Sequence, residues 1–152
     1  MKEVERILDQ LKRSYEGEAW HGPSVREVLA NVNSDKANAH PISAAHSIWE
    51  ITEHIGGWMH YVCKRLEGEQ FEATPEQDWP LVPGKDEQAW QQTQHNLDKG
   101  YEKLVSAISR LKDEDLENMY VPGKDYTVYF LLHGVIQHNL FHAGQISLLK
   151  KA

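Results

Sequence analysis

The sequence has a single cysteine, no long apolar run and no basic stripe, and each lack removes a class of protein. One thiol, Cys63, can form no internal disulfide and suits a reducing compartment, so a cytoplasmic location is expected. Apolar stretches are only a few residues long, against the roughly 20 that a membrane-spanning helix needs. The charged, amphipathic start MKEVERILDQLKR contains no apolar core of a secretion signal. With a net charge of -7 and scattered lysines and arginines, nucleic-acid binding lacks its electrostatic basis. Nucleophile-elbow serines, phosphate loops and paired zinc-finger cysteines are also missing.

What remains is a chain of 152 residues, 26% charged and 40% hydrophobic, which suits one soluble domain over 1–152 with its own core. Four helical patterns stand out. Val4, Ile7, Leu8, Leu11 and Tyr15 recur at i, i+3/i+4 and predict a helix over about 1–16. Ile48, Ile51, Ile55, Met59, Val62 and Leu66 predict a second over about 42–66, with Pro41 near its first turn. A third begins near Asp86, a good N-cap, and carries Trp90, Leu97, Tyr101, Leu104, Ile108 and Leu111. The fourth runs from about Thr127 to Lys150 through Leu131, Leu132, Val135, Ile136, Ile146 and Leu149. No alternating strand pattern persists, so the expected fold is an all-α four-helix bundle.

The connections are long for a bundle, whose loops usually have roughly 2–8 residues. The first, GEAWHGPSVREVLANVNSDKANAHP, holds a capping box, Ser24-x-x-Glu27, opening a short helix to about Asn31. The second, EGEQFEATPEQDWPLVPGK, has three prolines and no periodicity. The third is KDEDLENMYVPGKDY. Loops of this length build and cover sites, and Trp20, Trp79 and Tyr120 within them argue for packing onto the bundle.

Nine histidines are the unusual entry in the composition. Because a helix turns about 100° per residue, His138 and His142 lie about 40° apart, one turn from each other on one face. His133 is about 140° away from His138 and falls outside that pair. On the second helix His46, Glu50 and His54 form a row at spacings of four, and His60 lies about 120° off it. His54 and His138 sit near the middles of their helices, which meet if the two helices pack along their lengths. His54, His138 and His142 are therefore the candidate metal ligands.

Three neutral imidazoles suit zinc or nickel and leave a coordination position open, the mark of a catalytic rather than a closed structural site. Such an ion lowers the pKa of a bound water or thiol. Glu50, one turn from His54, is the candidate catalytic side chain, as partner behind a ligand, general base or ligand. Trp58 and Gln145 border the expected pocket, and Gly144 calls for close helix contact or ligand clearance. Cys63, about 180° around its helix from His54, reads as core. The plainer alternative is that the histidines are surface residues or are satisfied by carboxylates, in a helical interaction module. A protein whose ion only ties two helices together is another.

HSIWEITEHIGGW followed by HNLFHAGQISLL resembles the DinB/YfiT-like superfamily of metal-dependent enzymes, and EAWHGPSVREVLANV, DWP and DEQAW extend the likeness over nearly the whole chain. The resemblance implies a four-helix bundle with long crossover connections, often dimeric, whose divalent metal, nickel or zinc, is held by three histidines matching His54, His138 and His142. Relatives of that kind include bacillithiol- or mycothiol-dependent S-transferases and a glutathione-independent isomerase. It therefore implies a homodimeric, metal-dependent enzyme acting on a small molecule, a thiol S-transferase first. A metal-dependent hydrolase or a non-catalytic, stress-related metal-binding protein are the alternatives.

Overall fold

Helix starts are set by side chains that catch the free amides of the first turn. In the computed structural model, which describes residues 2–152, Ser24, Asn33, Ser47, Thr74, Asp86 and Thr127 each accept a backbone amide three residues on. The resulting helices are α1 (Glu3–Tyr15), α2 (Val25–Leu29), α3 (Ser34–Asn38), α4 (Ile48–Leu66), α5 (Pro75–Asp78), α6 (Glu87–Ile108), α7 (Asp113–Asn118) and α8 (Val128–Leu149). The four long ones, α1, α4, α6 and α8, are the bundle, and the fold is all-α, as expected. Among the described residues the only β pairing is an isolated bridge between Tyr120 and Thr127.

The second helix starts later than its periodicity suggested. The Ser47 amide donates to Glu50 Oε2 at 2.6 Å and the Glu50 amide to Ser47 Oγ at 3.1 Å, a reciprocal cap that fixes the first turn at Ile48. Pro41 to His46 stay irregular, with a single turn from the Ala45 amide to the Ile42 carbonyl. At the other end of the chain, Asp113 of α7 accepts the amides of Glu3 and Val4 at 3.0 Å each, so the third connection caps α1 from outside.

Packing orders the long helices as a ring. α4 touches α6 and α8, α1 touches the same two, and among the described residues neither α1 with α4 nor α6 with α8 makes contact. The chain therefore crosses a diagonal twice, from α1 to α4 and from α6 to α8, and the first and third connections span those diagonals. Trp49, Trp90, Tyr15, Leu11, Ile55 and Leu132 are fully buried at the centre. Their polar atoms are paired. Trp49 Nε1 donates to Thr93 Oγ1 at 2.9 Å, Trp90 Nε1 to the Val32 carbonyl at 2.7 Å, and the Tyr15 hydroxyl to Asp98 at 2.7 Å. The last of these carries a ring stacked 4.1 Å from Tyr101. Among the described residues no helix is long and apolar enough to cross a membrane.

Candidate metal centre

At the seam between α4 and α8, His54 from the first and His138 and His142 from the second turn their rings toward one point. His54 Nε2 lies 2.9 Å from His138 Nε2, which lies 3.1 Å from His142 Nε2. One nitrogen from each of the three falls within 4.8 Å of the others. The spacing of four on α8 puts its pair on one face, and the adjacency of α4 and α8 in the ring supplies the third.

The opposite ring nitrogens settle where the protons go. His54 Nδ1–H donates to the Asp78 backbone carbonyl at 2.5 Å, and His142 Nδ1–H donates to Gln145 Oε1 at 2.7 Å. Both acceptors take a proton and give none, so the Nε2 atoms of His54 and His142 face inward as lone pairs. His138 Nδ1 is buried with no hydrogen-bond partner. Burial also resists charge on all three rings. His138 is pushed down to about 3, by burial first and then by the neighbouring His142 and His54. His54 and His142 are lowered too, burial outweighing the opposing hydrogen bonds to Asp78 and Gln145.

Aromatic rings wall the cluster. Trp79 lies flat against His54, centroids 3.9 Å apart, and its other face stacks on His46 at 3.6 Å. Trp58 stands 5.9 Å from the His138 ring and donates its Nε1–H to Asp78 Oδ1 at 2.7 Å. α5 is thus fastened to α4 by its last residue, with the Asp78 carbonyl on His54 and the Asp78 carboxylate on Trp58.

The sequence model of one family, the DinB superfamily, matches residues 19–146. The chain belongs to the DinB superfamily. Searches of curated proteins and of solved structures returned no match. In this DinB-superfamily chain the donor set fits a divalent ion. Three neutral imidazoles converge, at least two of them with lone pairs aimed inward, and the buried site disfavours the protons that would otherwise compete.

Of the other side chains singled out by sequence, Gln145 belongs to the site through His142 and Trp58 is a wall. Glu50 is not among the groups gathered around the three histidines. Its carboxylate accepts from the Ser47 amide and lies 3.0 Å from His40 Nε2 and 3.7 Å from His46 Nδ1. Burial works to raise its pKa, but the hydrogen bonds from Ser47 and His40 hold it below the usual carboxylate value. Cys63 is buried and lines a different cleft, between α4 and α6, with Gly56, Gly57 and Gly100. His133 packs beside Tyr129, centroids 4.4 Å apart. Gly144 makes no close helix contact, since a Cβ there would meet nothing within 4 Å. Asp78 was not singled out, because its main contribution is a backbone carbonyl, to which no side-chain pattern points. The Trp-Pro pair next to it and the Thr74-Pro75-x-Gln77 start of α5 mark the segment but not the contact.

Proposed function

We propose that this protein is a metal-dependent enzyme, with His54, His138 and His142 holding a divalent ion, zinc or nickel, and with thiol transfer to an electrophile as its reaction. When bound, such an ion lowers the pKa of a small thiol or water and leaves it nucleophilic near neutral pH. The chain's own groups do the rest. Asp78 and Gln145 fix two rings in the tautomer that ligates, which holds the site ready before the ion arrives. Trp79 covers one side of His54 and keeps water from it. Glu50 acts at one remove, by fixing the start of α4 and holding His40, rather than as a base at the reacting atoms. The observation that carries the proposal is the convergence of three imidazoles, two of which, His54 and His142, spend their outer protons on protein acceptors and aim lone pairs at the common point.

Elemental analysis of protein purified without a polyhistidine tag is expected to find about one divalent ion per chain. His138→Ala and His142→Ala should lose it while circular dichroism still reports a folded bundle, and Glu50→Gln should keep it. Consumption of 1-chloro-2,4-dinitrobenzene should require an added small thiol and should vanish in both histidine variants. Full metal occupancy in those variants would remove the assignment. Turnover of small esters without added thiol would make the protein a hydrolase instead.

A further inference from the structure

His138 has a second neighbourhood. Beside it α4 contributes Trp58 and Val62, α8 contributes Phe130, Leu131 and Gly134, and Tyr126 closes the rim of a groove of about 230 Å³. No aspartate, glutamate, lysine or arginine lines it. The polar atoms of its aromatic walls have partners within the protein, apart from the proton of the Tyr126 hydroxyl. Trp58 Nε1 donates to Asp78 at 2.7 Å, and the Tyr126 hydroxyl accepts from Arg65 Nη1 at 3.2 Å. Arg65 itself is buried at 6% exposure, stacks 5.5 Å from the Trp58 ring, and sends its remaining recorded hydrogen bonds to the Phe71 carbonyl. It therefore braces both walls from behind without lining the groove. Apart from the Trp58 indole and the Tyr126 hydroxyl, His138 brings the only polar side chain among the described residues that line the groove.

Gly134 gives the groove its depth. It lies in the middle of α8, where glycine is disfavoured by about 1 kcal/mol relative to alanine. Its backbone does not have a positive φ, and a Cβ there would meet nothing within 4 Å. Neither turn geometry nor helix packing requires a glycine, so the space beside it is available to a ligand. Gly144 is equally open on the same helix but lies on the exposed surface outside the groove, and so serves as an internal control.

We propose that this groove seats an uncharged apolar group of the substrate, an aromatic ring or a short branched alkyl chain, beside a reacting atom held at the three histidines. The placement of the reacting atom rests on the metal-centre reading, whereas the preference for an uncharged apolar group rests on the lining alone. Without the ion, a charged group entering here would lose its hydration and meet no oppositely charged side chain in the lining, while a ring would cover Trp58, Val62 and Phe130 and be covered by them.

Fluorine NMR titration of chelated protein with trifluoromethylbenzene and its anionic relative 4-(trifluoromethyl)benzoate tests the groove directly, with no ion present to bind the carboxylate. The neutral probe is expected to bind at least about tenfold more tightly than the benzoate, a difference of about 1.4 kcal/mol. Gly134→Leu should weaken the neutral probe by at least about tenfold, and Gly144→Leu by less than about twofold. Gly134→Ala gives a smaller block should the leucine variant not fold. Cobalt(II)-loaded protein should broaden the bound fluorine resonance, which places the probe beside the histidines. Chelated protein should still bind the probe, so a failure of the metal assignment leaves the groove result standing, and an inert Gly134 variant leaves the metal result standing. Equal affinity in Gly134→Leu and the parent, tighter binding of the benzoate, or no broadening in protein that elemental analysis shows to hold cobalt would each overturn the proposal. So would a change of both leucine variants from dimer to monomer in sedimentation with probe binding unchanged, which would give this face of α8 to a second copy of the chain.

Discussion

An imidazole ligates through a lone pair, so the group that holds its other nitrogen decides whether it is ready. For His54 that group is a backbone carbonyl, which no substitution removes, but for His142 it is the side chain of Gln145. Gln145→Leu removes the acceptor and frees the ring to rotate. Metal affinity measured by chelator competition should fall by about 10- to 100-fold, and Gln145→Glu, which restores an acceptor, should recover most of it. An unchanged affinity in Gln145→Leu would show that the ring needs no such anchor. The same histidines make the metal-free protein sensitive to acid. His138 is held at about 3 in the fold against an ordinary 6.5, so between those values the unfolded chain binds a proton that the native state refuses. The benefit of a neutral His138 is complete above pH 6.5 and is lost as pH falls toward 3. Urea midpoints of chelated protein should therefore drop between pH 7.5 and 5, and His138→Gln should flatten that slope.

At the scale of elements, α8 shows most plainly what glycine costs. Gly144 lies on its exposed face with no neighbour to crowd a methyl group. Gly144→Ala should raise stability by about 1 kcal/mol and leave metal content unchanged, as measured by urea unfolding and elemental analysis. A loss of stability would mean that a contact made outside this chain uses the bare backbone. Sequence spacing was enough to place all four long helices and to pair His138 with His142, because those inferences use only the helical period, whereas His54 joins them through the adjacency of α4 and α8, which the sequence reading had to assume. It could not place the start of α4, since Pro41 reads as a first-turn proline and Ala44 continues the apolar face, and the reciprocal Ser47–Glu50 bonds choose Ile48 as the first residue. Nor did periodicity find α3, α5 or α7, which span 5, 4 and 6 residues, too short to show a period. A Thr74-Pro75-x-Gln77 start signal for α5 was present in the sequence. What it does for the site was hidden, because the group that reaches His54 is a main-chain carbonyl 24 residues away.

The whole molecule places this site where it ties the most together. The ring order makes α4 and α8 neighbours although they are separated in the chain by α5, α6 and α7. An ion on His54, His138 and His142 would cross-link that seam and, through His54 Nδ1 and the Asp78 carbonyl, hold α5 against it. Because the unfolded chain has no such triad, the binding energy adds to folding stability. Ion at about 1,000 times its dissociation constant is worth about 4 kcal/mol, or roughly 10 °C in melting temperature for a domain of this size. Loaded protein should melt that much above chelated protein, and the difference should disappear in His142→Ala. Hydrogen exchange should localise the gain. Amides of α5 and the middle turns of α4 and α8 should slow on loading, while those of α7 and the first turn of α1, on the other side of the ring from α4, should not change. Equal melting points with and without the ion would mean that the three rings do not bind it in solution. Slowing spread evenly over all helices would instead mean that the ion stabilises the fold without acting as a local tie.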